Sequence, residues 1–446
     1  MNENGERQRV RYSPERRTAM VFCGTGAHGA YHAGVLKALQ EAGVKIDVMA
    51  GHGVGAAAAA LAAVDGASRL WDEKGIWRSR AAKGLYRWKW PLRLAGWLAF
   101  LLAAVALISL LLAAIGRGAP VRWLVAAALL LGGMLLLAIV AGGGLMDRRA
   151  PARRSAEGWP WWRLLGAPLD AERARSTFAG ALWELLHGGS PMARPTPAAI
   201  ARRYAEVLAE SVGQPGFREL MIVTTDLDSR RDVVAALLRE PFRHDFVAPR
   251  PGDERRSETI DLAGTGRDHA LDVIAAALTP PVACDPHLVT FGIDSYWRGE
   301  THRLSDRPGA CVRLLEELAA AGVTQAILVS AVAAPRVPHR LAATRLEPRD
   351  RLGEFLAAAE SAALRDARET ARLQFDTVHV ISPAHNPIGA FDLDGAYDEA
   401  SDRWTDLAEL MNSGYEDAYR QFIEPIVGAS GEQLEHVSAV DVDVPR

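Results

Sequence analysis

Two short glycine turns hold the residues of this chain whose spacing points to chemistry. The first, Gly24-Thr-Gly-Ala-His-Gly29, follows the apolar run Met20-Val-Phe-Cys23 and opens a helical stretch, 30–42. Glycines at 24, 26 and 29 let the backbone turn tightly and carry its N–H groups toward a ligand. Donors at the start of a helix favour an anion or a developing oxyanion. A dinucleotide-binding turn has the same pattern but wants an acidic residue at the far end of the next strand. Here Asp47 stands at the near end. The second turn, Gly51-His-Gly-Val-Gly55, joins the apolar run 46–50 to the alanine-rich stretch 56–63. It has the form of a G-x-S-x-G nucleophile elbow, whose central side chain attacks an ester. The centre is Gly53, which can bend as required but supplies no Oγ. The side chain of His52, one place earlier, points elsewhere and is no simple replacement.

In close succession these pieces run strand, glycine turn, Gly34-Val-Leu-Lys-Ala-Leu-Gln-Glu-Ala-Gly43, Asp47-Val48, elbow. That order resembles the patatin-like phospholipases. The resemblance implies a serine–aspartate dyad acting on lipid acyl esters without a histidine. It places oxyanion donors on Gly24, Gly26, Ala27 and His28, with Gly29 completing the anion-binding turn. The elbow falls on Gly51, His52, Gly53 and Gly55, and the nucleophile position on Gly53. The acid belongs in an Asp-Gly-Gly turn between a strand and a helix, where this chain reads Trp297-Arg-Gly299. Asp294 is a weaker substitute, and Asp394-Gly395-Ala396 reads as a decoy because it follows the strand expected at 377–382. With both dyad positions altered, the expected function is a catalytically inactive member that binds lipid or acyl groups, or acts as a scaffold or regulator. The alternative is an active lipid acyl hydrolase drawing its nucleophile from Ser295, Cys284 or Cys23. No cofactor and no metal site is expected.

The elements that position these turns follow from periodicity. Strand-like runs at 18–23, 46–50, 219–225, 288–294, 325–332 and 377–382 alternate with helical stretches at 31–42, 171–186, 197–211, 268–278, 311–321, 350–372 and 405–424. Such alternation predicts an α/β fold with a mainly parallel sheet covered by helices on both faces. One discontinuous domain is expected over 18–90 and 150–430, with tails at 1–17 and 431–446.

Between its halves the chain turns apolar. Leu94 to Ile115 and Trp123 to Met146 contain no charged residue. At ~1.5 Å per residue each is about 33–36 Å long, enough for a hydrocarbon core of ~30 Å. A transmembrane hairpin at 94–146 is therefore expected. Lys and Arg crowd its outer flanks (Arg78 to Arg93, Arg148 to Arg154), while the link carries only Arg117 and Arg122. That bias predicts cytoplasmic termini, as in a bacterial inner membrane, and Trp159-Pro-Trp-Trp162 is expected at the membrane surface. Membrane lipids are the expected partners, with homo-oligomer or protein contacts through the hairpin. A net charge of −3 gives no general attraction to nucleic acid. Three cysteines in 446 residues form no disulfide framework.

Overall fold

The computed structural model describes residues 12–116, 118–147, 166–188, 193–248, 257–293, 297–333 and 346–428. Nine strands form the central sheet: β1 (Thr18–Cys23), β2 (Val48–Gly51), β3 (Glu219–Asp226), β4 (Arg231–Leu237), β5 (Ser257–Asp261), β6 (His287–Thr290), β7 (Thr301–Ser305), β8 (Gln325–Ser330) and β9 (Thr377–Ile381). Their order is β9-β8-β1-β2-β3-β4-β5. The five from β9 to β3 run parallel. β4 turns antiparallel to β3, and β7 pairs antiparallel with the end of β3 while β6 pairs with β7. The fold is thus α/β with a mainly parallel central sheet.

Every residue of β1, β2 and β8 is buried, as central parallel strands covered on both faces must be. The main helices are α1 (Gly29–Glu41), α2 (Val54–Ala63), α3 (Trp90–Ala114), α4 (Gly118–Asp147), α5 (Glu172–His187), α6 (Pro197–Ser211), α7 (Ala270–Ala277), α8 (Cys311–Ala320), α9 (Pro348–Gln374) and α10 (Leu407–Ala418). On one face of the sheet Ala19, Val21 and Cys23 pack with Cys311, Leu314 and Leu315 of α8 and Leu364 and Ala367 of α9. On the other, Phe22 meets His32 of α1, ring centroids 5.4 Å apart. This alternation along β1 lets the turns after β1 and β2 be held from both sides.

Three strands, β4, β5 and β7, lie where no strand is expected from the sequence, and the run expected at 288–294 pairs only through Thr290. The expected tail at 1–17 is corrected over 12–17. Tyr12 is buried and donates to the Lys45 carbonyl at 3.0 Å, and Arg17 makes a two-pronged pair with buried Glu219 at 2.8 and 2.6 Å. A buried carboxylate needs such a partner, so the segment is drawn against the strand starts of the sheet. The expected tail at 431–446, Trp159 to Trp162 and Asp294 lie outside the described residues.

The chain divides into two compact units, one of Met1–Tyr86, Ala171–Pro281 and Pro286–Arg446, the other of Arg87–Asp170 and Val282–Asp285. Within the second, Arg87–Trp88 pairs antiparallel with Leu169–Asp170, so the chain returns beside the point where it left. Between these lie α3 and α4. Among the described residues one helix, α3, is long and apolar enough to cross a membrane. Its apolar side chains lie open, Phe100 at 64% and Leu110 at 69% exposure. The second expected span, Trp123 to Met146, falls within α4, of which the described apolar stretch is Val121–Leu135.

Candidate functional site

β1 and β2 end side by side, Phe22 opposite Gly51, so the turns that follow them share one space. At the elbow Gly53 takes φ 58° and ψ −138°, a conformation that side chains rarely adopt. Its flanks must be bare. A Cβ on Gly55 would lie 2.5 Å from the Phe22 carbonyl oxygen. The elbow geometry is therefore present without a reactive group at its centre.

What fills the centre is backbone. The Gly24 carbonyl oxygen lies 2.3 Å from where a Cβ on Gly53 would stand, and it accepts the Val54 N–H at 3.1 Å. In an elbow hydrolase the N–H after the nucleophile is an oxyanion donor; here it is already bonded. Others in the turn are bonded too: Ala27 N–H to the Ala390 carbonyl at 2.8 Å, His28 N–H to Thr25 at 3.3 Å, and Gly29 N–H to the carbonyls of Gly26 and Ala27. Gly26 permits this, since a Cβ there would sit 1.9 Å from the Ala390 oxygen. Of the expected anion-binding positions Gly24, Gly26, Ala27, His28 and Gly29, all are buried and three have their N–H turned inward.

Among the described residues, the carboxylate beside the centre of the elbow is that of Asp306. It follows β7, donates its N–H to the Thr279 carbonyl at 3.0 Å, and is 2% exposed. Its Oδ2 lies 3.2 Å from the missing Cβ of Gly53 and accepts from Thr25 Oγ1 at 3.3 Å. The expected acid position, Trp297, is corrected: its indole stacks on Phe291 at 4.2 Å and leans on His302 at 5.4 Å. The cause is β7, which carries the chain beyond Trp297 and back across the end of β3 before the acid is reached. Asp394 carries a largely exposed carboxylate, 4.0 Å from Lys83. Ser305-Asp306 ahead of a Pro-Gly turn and a helix was the available signal, hidden because 301–305 is short and polar.

A family model described as patatin-like phospholipase matches residues 20–335. The chain belongs to the patatin-like phospholipase family. No curated protein matches. Among solved structures, VipD from Legionella pneumophila overlaps 92% of this chain and 67% of its own at 13% identity and a TM-score of 0.31, too slight a likeness to bear on function.

Beneath the patatin-like elbow lies a charged cluster that the sequence did not reveal. His52 is fully buried, with Nδ1 3.4 Å from Asp306 Oδ1 and Nε2 3.2 Å from Glu360 Oε2, in the middle of α9. Burial drives the imidazole toward neutrality, but Glu360 and Asp306 outweigh it and hold the ring protonated well above its ordinary range. Burial likewise raises the Glu360 carboxyl, and His52 more than reverses that. Two neighbouring histidines behave oppositely: burial lowers His28 to about 4 and His32 to about 3. Cys23 is fully buried, and its hydrogen bond with Cys311 and its burial raise its thiol well above the usual value, which makes it a poor nucleophile. Cys284 is buried as well, and Ser295 lies outside the described residues.

Proposed function

We propose that this patatin-like protein no longer hydrolyses acyl esters at its elbow, and that it binds lipid or acyl groups, or serves as a scaffold or regulator, at a membrane face. The observation that carries this reading is the Gly24 carbonyl oxygen, which takes the space of the nucleophile's Cβ and the hydrogen bond of the Val54 N–H. Nucleophilic catalysis needs an activated nucleophile and stabilisation of the oxyanion. Gly53 withholds the first, and the bonded N–H groups of Val54, Ala27, His28 and Gly29 leave fewer donors for the second. We assign Asp306, beside the missing Cβ of Gly53, to the family's dyad aspartate, which would leave only the serine position altered.

Membrane attachment rests on α3; with a second crossing by α4, the cations flanking 94–146 would favour the cytoplasmic side for the α/β unit. Association between copies, or with a protein partner, would use the same segment. The test is to treat full-length protein in detergent with a fluorophosphonate probe and, separately, with phospholipid vesicles. No labelled serine and no released fatty acid are expected. Labelling at one serine together with fatty-acid release would refute the proposal and favour a second reading, hydrolysis through another nucleophile, which the retained Asp306 carboxylate supports.

A further inference from the structure

We propose that Cys23, His52 and Glu360 form a buried binding site for a zinc-type divalent metal ion. The three residues come from different elements, the end of β1, the residue after β2 and the middle of α9. They are 0%, 0% and 3% exposed, and their ligand atoms all lie within 4.8 Å of one another. Two ligand atoms each about 2.0–2.1 Å from a tetrahedral zinc stand roughly 3.3–3.4 Å apart. His52 Nε2 is 3.2 Å from Glu360 Oε2, close to that edge.

The surroundings fit a metal-ligating histidine. The other ring nitrogen, Nδ1, faces Asp306 Oδ1 at 3.4 Å, and neither atom makes a hydrogen bond. A ligating histidine commonly gives its remaining N–H to a carboxylate; here Asp306 Oδ1 faces Nδ1 without that bond being made. Glu360 is fixed from outside by the Gly309 N–H at 3.1 Å. Cys311 packs in the same buried cluster as Cys23. A sulfur–nitrogen–oxygen set favours zinc over the hard cations magnesium and calcium. Charge balances as well: a divalent ion replaces the thiol proton of Cys23 and the Nε2 proton of His52, so the buried cluster keeps its total charge.

A second cluster makes the contrast. In Asp226, Asp228 and His302, Asp226 Oδ2 is 2.5 Å from His302 Nδ1, a direct hydrogen bond, and Arg303 already engages Asp228 at 2.9 Å. In the cluster under the elbow the nitrogen–oxygen separation is longer, 3.2 Å, and no arginine engages the carboxylate among the contacts of the described residues.

The proposal is tested on the full chain in detergent, produced in zinc- or cobalt-supplemented medium and freed of loose metal. Stoichiometric zinc by elemental analysis is expected, with a thiolate-to-cobalt charge-transfer band in the cobalt form. Cys23→Ser should lose that band while keeping its circular dichroism spectrum. Asp306→Asn, which removes only the outer partner of His52, should keep the band and weaken zinc binding by about 10–100-fold. Protein free of metal after both preparations would overturn the proposal. So would metal whose amount and spectrum are unchanged in Cys23→Ser, or, if that variant fails to fold, zinc affinity unchanged in Asp306→Asn.

Discussion

Asp306 Oδ2 lies 3.2 Å from the point where Gly53 would carry a Cβ. An acid thus faces a position with nothing to deprotonate. Restoring a hydroxyl alone should not restore turnover, because the Gly24 oxygen stands 2.3 Å from the same point. Gly53→Ser is expected to lower stability by about 1–3 kcal/mol, through backbone strain and overpacking, without measurable esterase activity. Chemical denaturation and an ester-hydrolysis assay check both parts.

Adding an acid at 297 should bring nothing either. Trp297→Asp removes a stacked, nearly buried indole and is expected to cost about 3–5 kcal/mol, the scale for deleting a large core aromatic. The Gly53→Ser, Trp297→Asp double variant should be no more active than Gly53→Ser alone, as measured by fatty-acid release.

These two expectations divide what the sequence disclosed from what it hid. Both turns, the parallel strands beside them and the identity of Gly53 were legible, because apolar period and glycine spacing act within a few residues. The acid was not. Asp306 is reached only after the polar strand β7 folds back onto Thr225 and Asp226, a long-range pairing that no local pattern encodes. His52 was legible as an elbow residue, but its partner Glu360 sits on a helix 308 positions away.

Acid should weaken the fold around the first turn. His28 and His32 stay neutral in the folded chain down to about 4 and about 3, whereas unfolded histidines take up a proton near ~6.5. Their folded values are lowered, so their contribution is complete above ~6.5 and is lost as pH falls toward the folded values. Each histidine should give a slope approaching ~1.4 kcal/mol per pH unit within that window. Unfolding midpoints from pH 7 to pH 4 measure this, and His32→Asn should flatten the curve.

The pairing of Arg17 with Glu219 is buried on both sides, with side chains 8% and 2% exposed. Glu219→Ala should cost roughly 3–5 kcal/mol, because it strands a buried guanidinium. An Arg17→Met, Glu219→Leu double variant should cost less than Glu219→Ala, and denaturant titration of the three proteins checks the order.

The apolar segment proposed to meet the membrane should be removable. Arg87 and Asp170 are paired across an antiparallel ladder, where facing Cα atoms are about 4.5–5.5 Å apart. Joining 88 to 169 through a short Gly-Ser linker should leave the α/β unit folded and move it from the membrane pellet to the soluble fraction. Fractionation with circular dichroism reads the result, and a deletion variant that stays in the pellet though folded would place the anchor elsewhere.

The bond between the Gly24 carbonyl and the Val54 N–H acts as a ratchet on the protein's history. While residue 53 has no side chain, the turn can settle into the gap. Once settled, it bars a serine from returning by a single codon change. Placing a serine at residue 53 would demand that two loops move together, which one substitution does not supply.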